Sequence, residues 1–195
     1  MNFGEPFGGV VPGARGAVLS VLLRTGKPLT GRAIHALVAE RHSLGSVQQA
    51  LKDLASLGII SSETVGRAGV HRINERHETV APLRQLASPI DMLTRVLRDA
   101  GPGVDAVILF GSVARGDAHA GSDIDLAVIA PDDWAGRADL QEQVHARLGN
   151  NCDVLHLTPE QFTRAPDDRE PVVAEILRDG LTLLGTVPRR SRRAS

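Results

Sequence analysis

Residues 104–129, Val-Asp-Ala-Val-Ile-Leu-Phe-Gly-Ser-Val-Ala-Arg-Gly-Asp-Ala-His-Ala-Gly-Ser-Asp-Ile-Asp-Leu-Ala-Val-Ile, constrain this chain more than any other stretch. Ala106 to Phe110 is a short apolar run rich in β-formers, and it stops at a Gly111-Ser112 turn. A second apolar strand carries Asp123 and Asp125 at alternate positions. Side chains two apart on a strand share a face, so both carboxylates project together while Ile124 and Leu126 point into a core. Carboxylates held that close repel unless a cation lies between them, and a hard dication with oxygen ligands, Mg²⁺ first, suits them. The Gly-Ser turn offers backbone N–H groups and a hydroxyl without side-chain bulk, which suits a phosphate. Metal beside phosphate is the arrangement of nucleotidyl transfer.

Gly111-Ser112, ten residues, then Asp123-Ile-Asp125 resembles the signature of the minimal nucleotidyltransferases of the DNA polymerase β superfamily. The fuller string Phe-Gly-Ser-Val-Ala-Arg-Gly, followed by Gly-Ser-Asp-Ile-Asp-Leu, carries the same likeness, as does the late Ile-Leu-Arg-Asp-Gly-x-x-Leu-Leu-Gly. The resemblance spans residues 88–186. It implies a third carboxylate on a following strand, where Cys152-Asp153-Val154-Leu155 fits. It further implies Mg²⁺ or Mn²⁺ held by Asp123, Asp125 and Asp153, with the same three carboxylates as the catalytic set. A nucleoside triphosphate, ATP first, is the implied substrate, its phosphates cradled by Gly111 and Ser112. Arg115 is placed to neutralise phosphate, with a salt bridge to Asp117 as the alternative. Ser122 is either a phosphate ligand or the residue that sets its turn. The acceptor hydroxyl is open: family members modify antibiotics, proteins or RNA ends, and some are antitoxins that adenylylate a ribonuclease partner.

The first half reads differently. Apolar positions Val18, Leu19, Val21, Leu22 and Leu23 follow helical spacing until Thr25-Gly26-Lys27-Pro28 breaks them. Thr30 is an N-cap for a second short helix. Arg41–Gly45 reads as a turn, and a third helix runs from Ser46 to Leu57. Ile59-Ile60 and Val70–Asn74 read as strands of a hairpin with its tip at Arg67-Ala68-Gly69. Three helices and a hairpin resemble the winged helix-turn-helix of bacterial transcription regulators. That resemblance implies double-stranded DNA as a partner, with Ser46, Gln48, Gln49 and Lys52 facing bases and Arg67 and Arg72 facing backbone or minor groove. Such regulators read two half-sites, so a homodimer is expected.

The fold class is therefore α+β: a winged helix-turn-helix before a polymerase β-like domain with a short mixed sheet flanked by helices. The expected boundaries are a flexible arm over 1–12, the winged unit over 13–75 and a linker over 76–87. The transferase domain follows over 88–186, with a disordered basic tail over 187–195. Ser88-Pro89 should start a helix running to Ala100, ended by Gly101-Pro102-Gly103. Asp132 and Asp133 should serve the first turn of a helix from Trp134 to Leu148.

Bulk properties agree. Residues 1–90 hold ten Lys and Arg against six Asp and Glu, a net +4, and residues 91–195 hold twelve against seventeen, a net −5. The two halves thus suit different partners. No apolar run approaches the ~20 residues of a membrane helix, and the opening residues lack a signal-peptide pattern, so no membrane and a cytoplasmic location are expected. The single cysteine, Cys152, rules out an intramolecular disulfide and a cysteine zinc site. His71 and His77 lack partners at metal-ligand spacing. Two functions follow. One is a metal-dependent nucleotidyltransferase, antitoxin-like and regulated through DNA. The other is a DNA-binding regulator whose transferase-like domain only senses nucleotide or dimerises.

Overall fold

The computed structural model describes residues 1–98, 103–164 and 171–188. The end of the helix expected to reach Ala100, the Gly101-Pro102 stop and the tail beyond Pro188 lie outside them. The chain divides into two compact units, Glu5–Pro89 on one hand and Met1–Gly4 with Ile90–Ser195 on the other.

In the Glu5–Pro89 unit, helix α1 (Gly13–Thr25) ends where Gly26 takes the left-handed conformation, φ 59°, and its N–H closes on the Leu22 carbonyl. Strand β1 (Leu29–Thr30) is only two residues long and was not foreseen in the sequence. Thr30 caps helix α2 (Gly31–Val38) through its hydroxyl, which accepts from the Ala33 N–H at 3.2 Å. Helix α3 (Leu44–Ser56) begins two residues before its expected start, because Ser43 is the cap and accepts from the Ser46 N–H at 3.2 Å. Strands β2 (Ile60–Val65) and β3 (Ala68–Ile73) form the hairpin, and β1 joins it in the order β1-β3-β2. Helix α4 (Val80–Leu86) follows. Val18, Leu19, Leu22, Ile34, Val47, Leu51 and Leu54 pack with Ile60, Ile73 and Val80 in one core. Phe7, within the stretch expected as a flexible arm, is 1% exposed in that core.

In the second unit, helix α5 (Pro89–Leu97) precedes strand β4 (Ala106–Phe110), the short helix α6 (Gly111–Arg115) and strand β5 (Ile124–Ile129). Helix α7 (Arg137–Leu148) crosses to strand β6 (Cys152–Leu157). Helices α8 (Pro159–Arg164) and α9 (Pro171–Asp179) and strand β7 (Leu181–Gly185) complete it. The sheet runs β6-β5-β4-β7, with β5 and β6 parallel and both other pairs antiparallel, so it is mixed as expected. The parallel pair requires a crossover, which α7 supplies. Alternation sorts the strands into two faces. Val107, Leu109, Ile124, Leu126 and Val128 pack under α5 and α7, while Ala106, Ile108, Phe110, Ala127 and Ile129 pack under α8 and α9. Met1 and Phe3 join the first of these clusters.

Two expectations on this unit need correction. Gly111-Ser112 opens a one-turn helix rather than a plain turn. Helix α7 starts at Arg137 rather than Trp134, since Trp134 is tied back to the Pro131 carbonyl at 3.0 Å and Gly136 accepts the first helical bond, from Leu140. Asp132 and Asp133 thus precede the first turn, where Asp139 stands.

Leu126 is fully buried at the centre of the sheet. Leu126→Ala should lower stability by about 2–5 kcal/mol in urea unfolding followed by circular dichroism, through lost burial and the cavity left behind. A loss below about 1 kcal/mol would show that this position is not in a packed core.

Candidate active site and a basic groove

The ladder brings the predicted acids to one end of the sheet. Asp125 stands opposite Phe110 on β4 and opposite Asp153 on β6. Asp123 lies just before β5, two residues from Asp125, and Ile124 between them is fully buried. Asp125 and Asp153 belong to the sheet face covered by α8 and α9, whereas Cys152 and Val154 belong to the opposite face. The cysteine next to Asp153 is thereby a core residue. Burial, with the charges of Asp153, Asp125 and Asp123 added, pushes its thiol up to about 12.

Gly111 is required by its neighbour. Its φ is +69°, and a Cβ built there would lie 2.0 Å from Asp125 Oδ2. Any side chain would evict the carboxylate, so glycine at the start of α6 and aspartate on β5 are one feature. Ser112 follows within the first turn of α6, where helix N–H groups lack intrahelical acceptors.

Burial raises the Asp125 carboxyl above the ordinary carboxylate value, and Asp153, Asp123 and Glu175 add to it in that order, against a lowering by Arg115. Among the described residues, no group of three or more His, Cys, Asp or Glu side chains is gathered closely enough to hold a metal ion. The donor set fits a hard dication in chemistry, being all carboxylate oxygen, and the unfavourable ionisation of Asp125 is what a cation would relieve.

The remaining predicted residues are placed as follows. Arg115, at the end of α6, is ion-paired to Glu175 of α9 through Nη1 and to Asp117 through Nε at 3.4 Å. Ser122 sets its loop: its hydroxyl accepts from the His119 N–H at 2.9 Å and its N–H donates to the His119 carbonyl at 3.0 Å. The buried Asn150 holds the same loop, donating through Nδ2 to the Ser122 carbonyl at 3.4 Å and to the Met1 carbonyl at 2.9 Å. Neither Glu175 nor Asn150 was singled out in the sequence. A lone glutamate in a late helix, and an asparagine after a helix-ending glycine, carry no motif.

In the Glu5–Pro89 unit a groove of about 830 Å³ runs between α3 and the hairpin. Gln48 and Lys52 line it from α3, Arg67, His71 and Ser62 from the hairpin, and Arg32 from α2. Of the residues expected to face DNA, it gathers Gln48, Lys52 and Arg67. It does not include Gln49, whose amide donates to Asp53 Oδ1 at 2.8 Å, beside the Arg15–Asp53 pair. Ser46 is engaged in the Ser43 cap, donating to the Ser43 carbonyl at 2.8 Å. Arg72 alternates with the groove-lining His71 and is paired to Glu63 at 2.5 Å on the other face of the hairpin. Arg32 and His71 were missed. Burial holds the His71 imidazole below its ordinary value, and its Nδ1 lies 2.8 Å from Ser62 Oγ.

Residues 92–181 match the family model described as "Polymerase beta, Nucleotidyltransferase". This stretch holds Gly111, Ser112, Asp123, Asp125, Asp153 and Glu175. Protein adenylyltransferase MntA of Shewanella oneidensis is 36% identical over 67 residues, which are 33% of this chain and 48% of that protein. The chain thus spans about half the length of the curated relative it matches. Both matches are to transferases. Among solved structures, a toxin–antitoxin crystal structure with AMP-PNP is 29% identical, covering 50% of this chain and 74% of that one, with a TM-score of 0.38. A structure of the tri-AMPylated Shewanella oneidensis HEPN toxin with its MNT antitoxin is 27% identical, covering 50% and 70%, with a TM-score of 0.34. The polymerase β-type match rests on sequence, over the stretch where the acids and the glycine meet. No helix among the described residues is long and apolar enough to cross a membrane.

Because the fold disfavours ionised Asp125, its charge destabilises the protein above the raised pKa, and this penalty disappears as pH falls below the ordinary carboxylate range. Asp125→Asn should therefore melt higher than wild type at pH 7, by about 1–4 °C, with the gain shrinking as pH falls and vanishing only below the ordinary carboxylate range. Millimolar Mg²⁺ should raise the melting temperature of wild type at pH 7 and leave the variant nearly unmoved.

Proposed function

We propose that this chain is a metal-dependent nucleotidyltransferase that moves a nucleoside monophosphate from a triphosphate, ATP first, to a hydroxyl on a macromolecular acceptor. The pairing of Asp125 with Asp153 across parallel strands, at the glycine that makes room for it, carries the reading. Asp123, Asp125 and Asp153 would hold Mg²⁺ or Mn²⁺, which supplies charge neutralisation at the phosphates. The acceptor oxygen bonds to the α-phosphorus while the bond to the departing pyrophosphate breaks. Asp153, the more exposed of the cross-strand pair, is free to orient the acceptor hydroxyl and take its proton. Gly111 and Ser112 would receive the outgoing phosphates at the start of α6, with Arg115 one turn further on. The likeness to a protein adenylyltransferase, and to an antitoxin crystallised with its AMPylated toxin, favours a protein hydroxyl, on a toxin-like partner, as acceptor. Ser122 takes the role of loop residue.

The Glu5–Pro89 unit is read as a winged helix-turn-helix that binds double-stranded DNA for regulation. Support comes from the element order and from the groove in which Lys52, Arg67 and Arg32 meet Gln48. A homodimer would let two such grooves read two half-sites.

Incubation of cell extract with α-labelled ATP and Mg²⁺ should yield a labelled protein with the wild type and none with Asp123→Ala/Asp125→Ala, while both remain folded by circular dichroism. Label that persists in the double variant would remove the carboxylates from the chemistry. Nucleotide binding that shifts DNA affinity, without label, would favour the sensor-regulator.

For the groove, Lys52→Ala and Arg67→Ala should each weaken binding to duplex DNA and lower the salt slope by about 1, measured by fluorescence anisotropy. Arg72→Ala, on the other hairpin face, should leave both unchanged. Equal losses for all three would point to diffuse attraction rather than a groove.

A further inference from the structure

Arg115 ends the short helix that starts at Gly111 beside Asp125, and it is already taken. Its Nη1 is held by Glu175 and its Nε by Asp117, while Nη2 has no partner among the described residues. Glu175 is itself fixed in place. It lies on α9 between Val173 and Ile176, which are 1% and 3% exposed and pack on the same sheet face that carries Asp125 and Asp153. The Glu175 side chain remains 31% exposed and that of Arg115 38%, so the pair sits at the rim and a ligand can reach it. Helix α6, which carries Arg115, packs against both α9 and β5, so the pair lies beside the strand that bears Asp125.

We propose that Glu175 is a positioning residue that competes with the nucleotide's phosphates for Arg115, so that entry depends on how much negative charge the ligand brings. This rests on the transferase reading of the site. In the free protein two carboxylates share one guanidinium. A triphosphate offers more charge and more acceptor oxygens than the single Glu175 carboxylate, and it can draw Nη1 away while Nη2 turns to a second oxygen. A diphosphate competes less well. Glu175 thereby acts as a selectivity element, holding Arg115 against weaker anions.

The test is nucleotide binding with Mg²⁺, by calorimetry, to wild type, Glu175→Gln, Glu175→Asp, Arg115→Ala and the Glu175→Gln/Arg115→Ala pair, with ATP and with ADP. Glu175→Gln is isosteric and should tighten ATP by about 3- to 10-fold and ADP by more, so that the ATP/ADP preference shrinks. Glu175→Asp, which keeps the charge, should retain the wild-type preference. In the Arg115→Ala background the glutamine substitution should change neither affinity. Unchanged or weaker binding by Glu175→Gln would overturn the proposal. Tightening that persists without Arg115 would also overturn it, since it would mark simple repulsion of phosphate by the carboxylate. If wild type and all variants bind neither nucleotide, the transferase reading itself fails, and with it this inference.

Discussion

The second unit is organised by one unfavourable interaction, the approach of Asp125 and Asp153 on neighbouring parallel strands. Neighbouring like charges near a protein surface repel by about 4 kcal/mol at most, and by less where solvent screens the more exposed Asp153. The strands that hold them there are buried elsewhere on both faces, with Leu109, Leu126, Val128 and Ile129 all fully covered. Each such side chain contributes roughly 1.5–3 kcal/mol on burial, so a few of them outweigh the repulsion. The fold can therefore keep an electrostatically strained edge because its centre is apolar. Such strain is also what a bound cation can exploit, because it relieves a cost the folded chain already carries.

The same arrangement decides the local backbone. Asp125 occupies the space a Cβ of Gly111 would need, and the left-handed φ of Gly111 lets β4 turn at once into α6. That turn ends on Arg115, one helical turn beyond Gly111, without lengthening the strand. Alternation along β6 does the complementary task, since Cys152 enters the core as Asp153 leaves it. An inert thiol beside a functional acid is thus a consequence of strand parity, and its elevated pKa follows from burial first and the acids second.

What the sequence made legible follows from how local the signals are. Asp123-Ile-Asp125, Gly111 and the strand around Asp153 are each encoded within a few residues, by alternation or by a glycine. Their convergence at one sheet end could be expected from the family resemblance before the registers were seen. Helix α6 was not legible, because five residues contain barely one turn and no period. Strand β1 was not either, since two residues show no alternation. The groove residues were half legible. The 3.6 period of α3 separates Gln48 and Lys52 from Gln49 and Asp53, and the parity of β3 with buried Ile73 separates His71 from Arg72. Both separations were available in the sequence to a stricter count. Glu175 was not, because its significance arises only when α9 is laid over the sheet face that bears the acids.

The two units meet anionic ligands with opposite chemistry on the proposed reading, and the charge count shows why. Residues 1–90 carry a net +4, and their groove presents Arg32, Lys52 and Arg67 directly, so attraction to a polyanion needs no helper and is screened by salt. Residues 91–195 carry a net −5, and the acids at the sheet end would repel a triphosphate outright. Binding there has to be conditional, on a dication between the carboxylates and phosphates and on a free arginine. With Arg115 shared between Asp117 and Glu175, both conditions are set by charge rather than by shape. A site of this kind gains selectivity from its own repulsion: only a ligand that arrives with a metal ion and enough negative charge can displace what the protein has already paired.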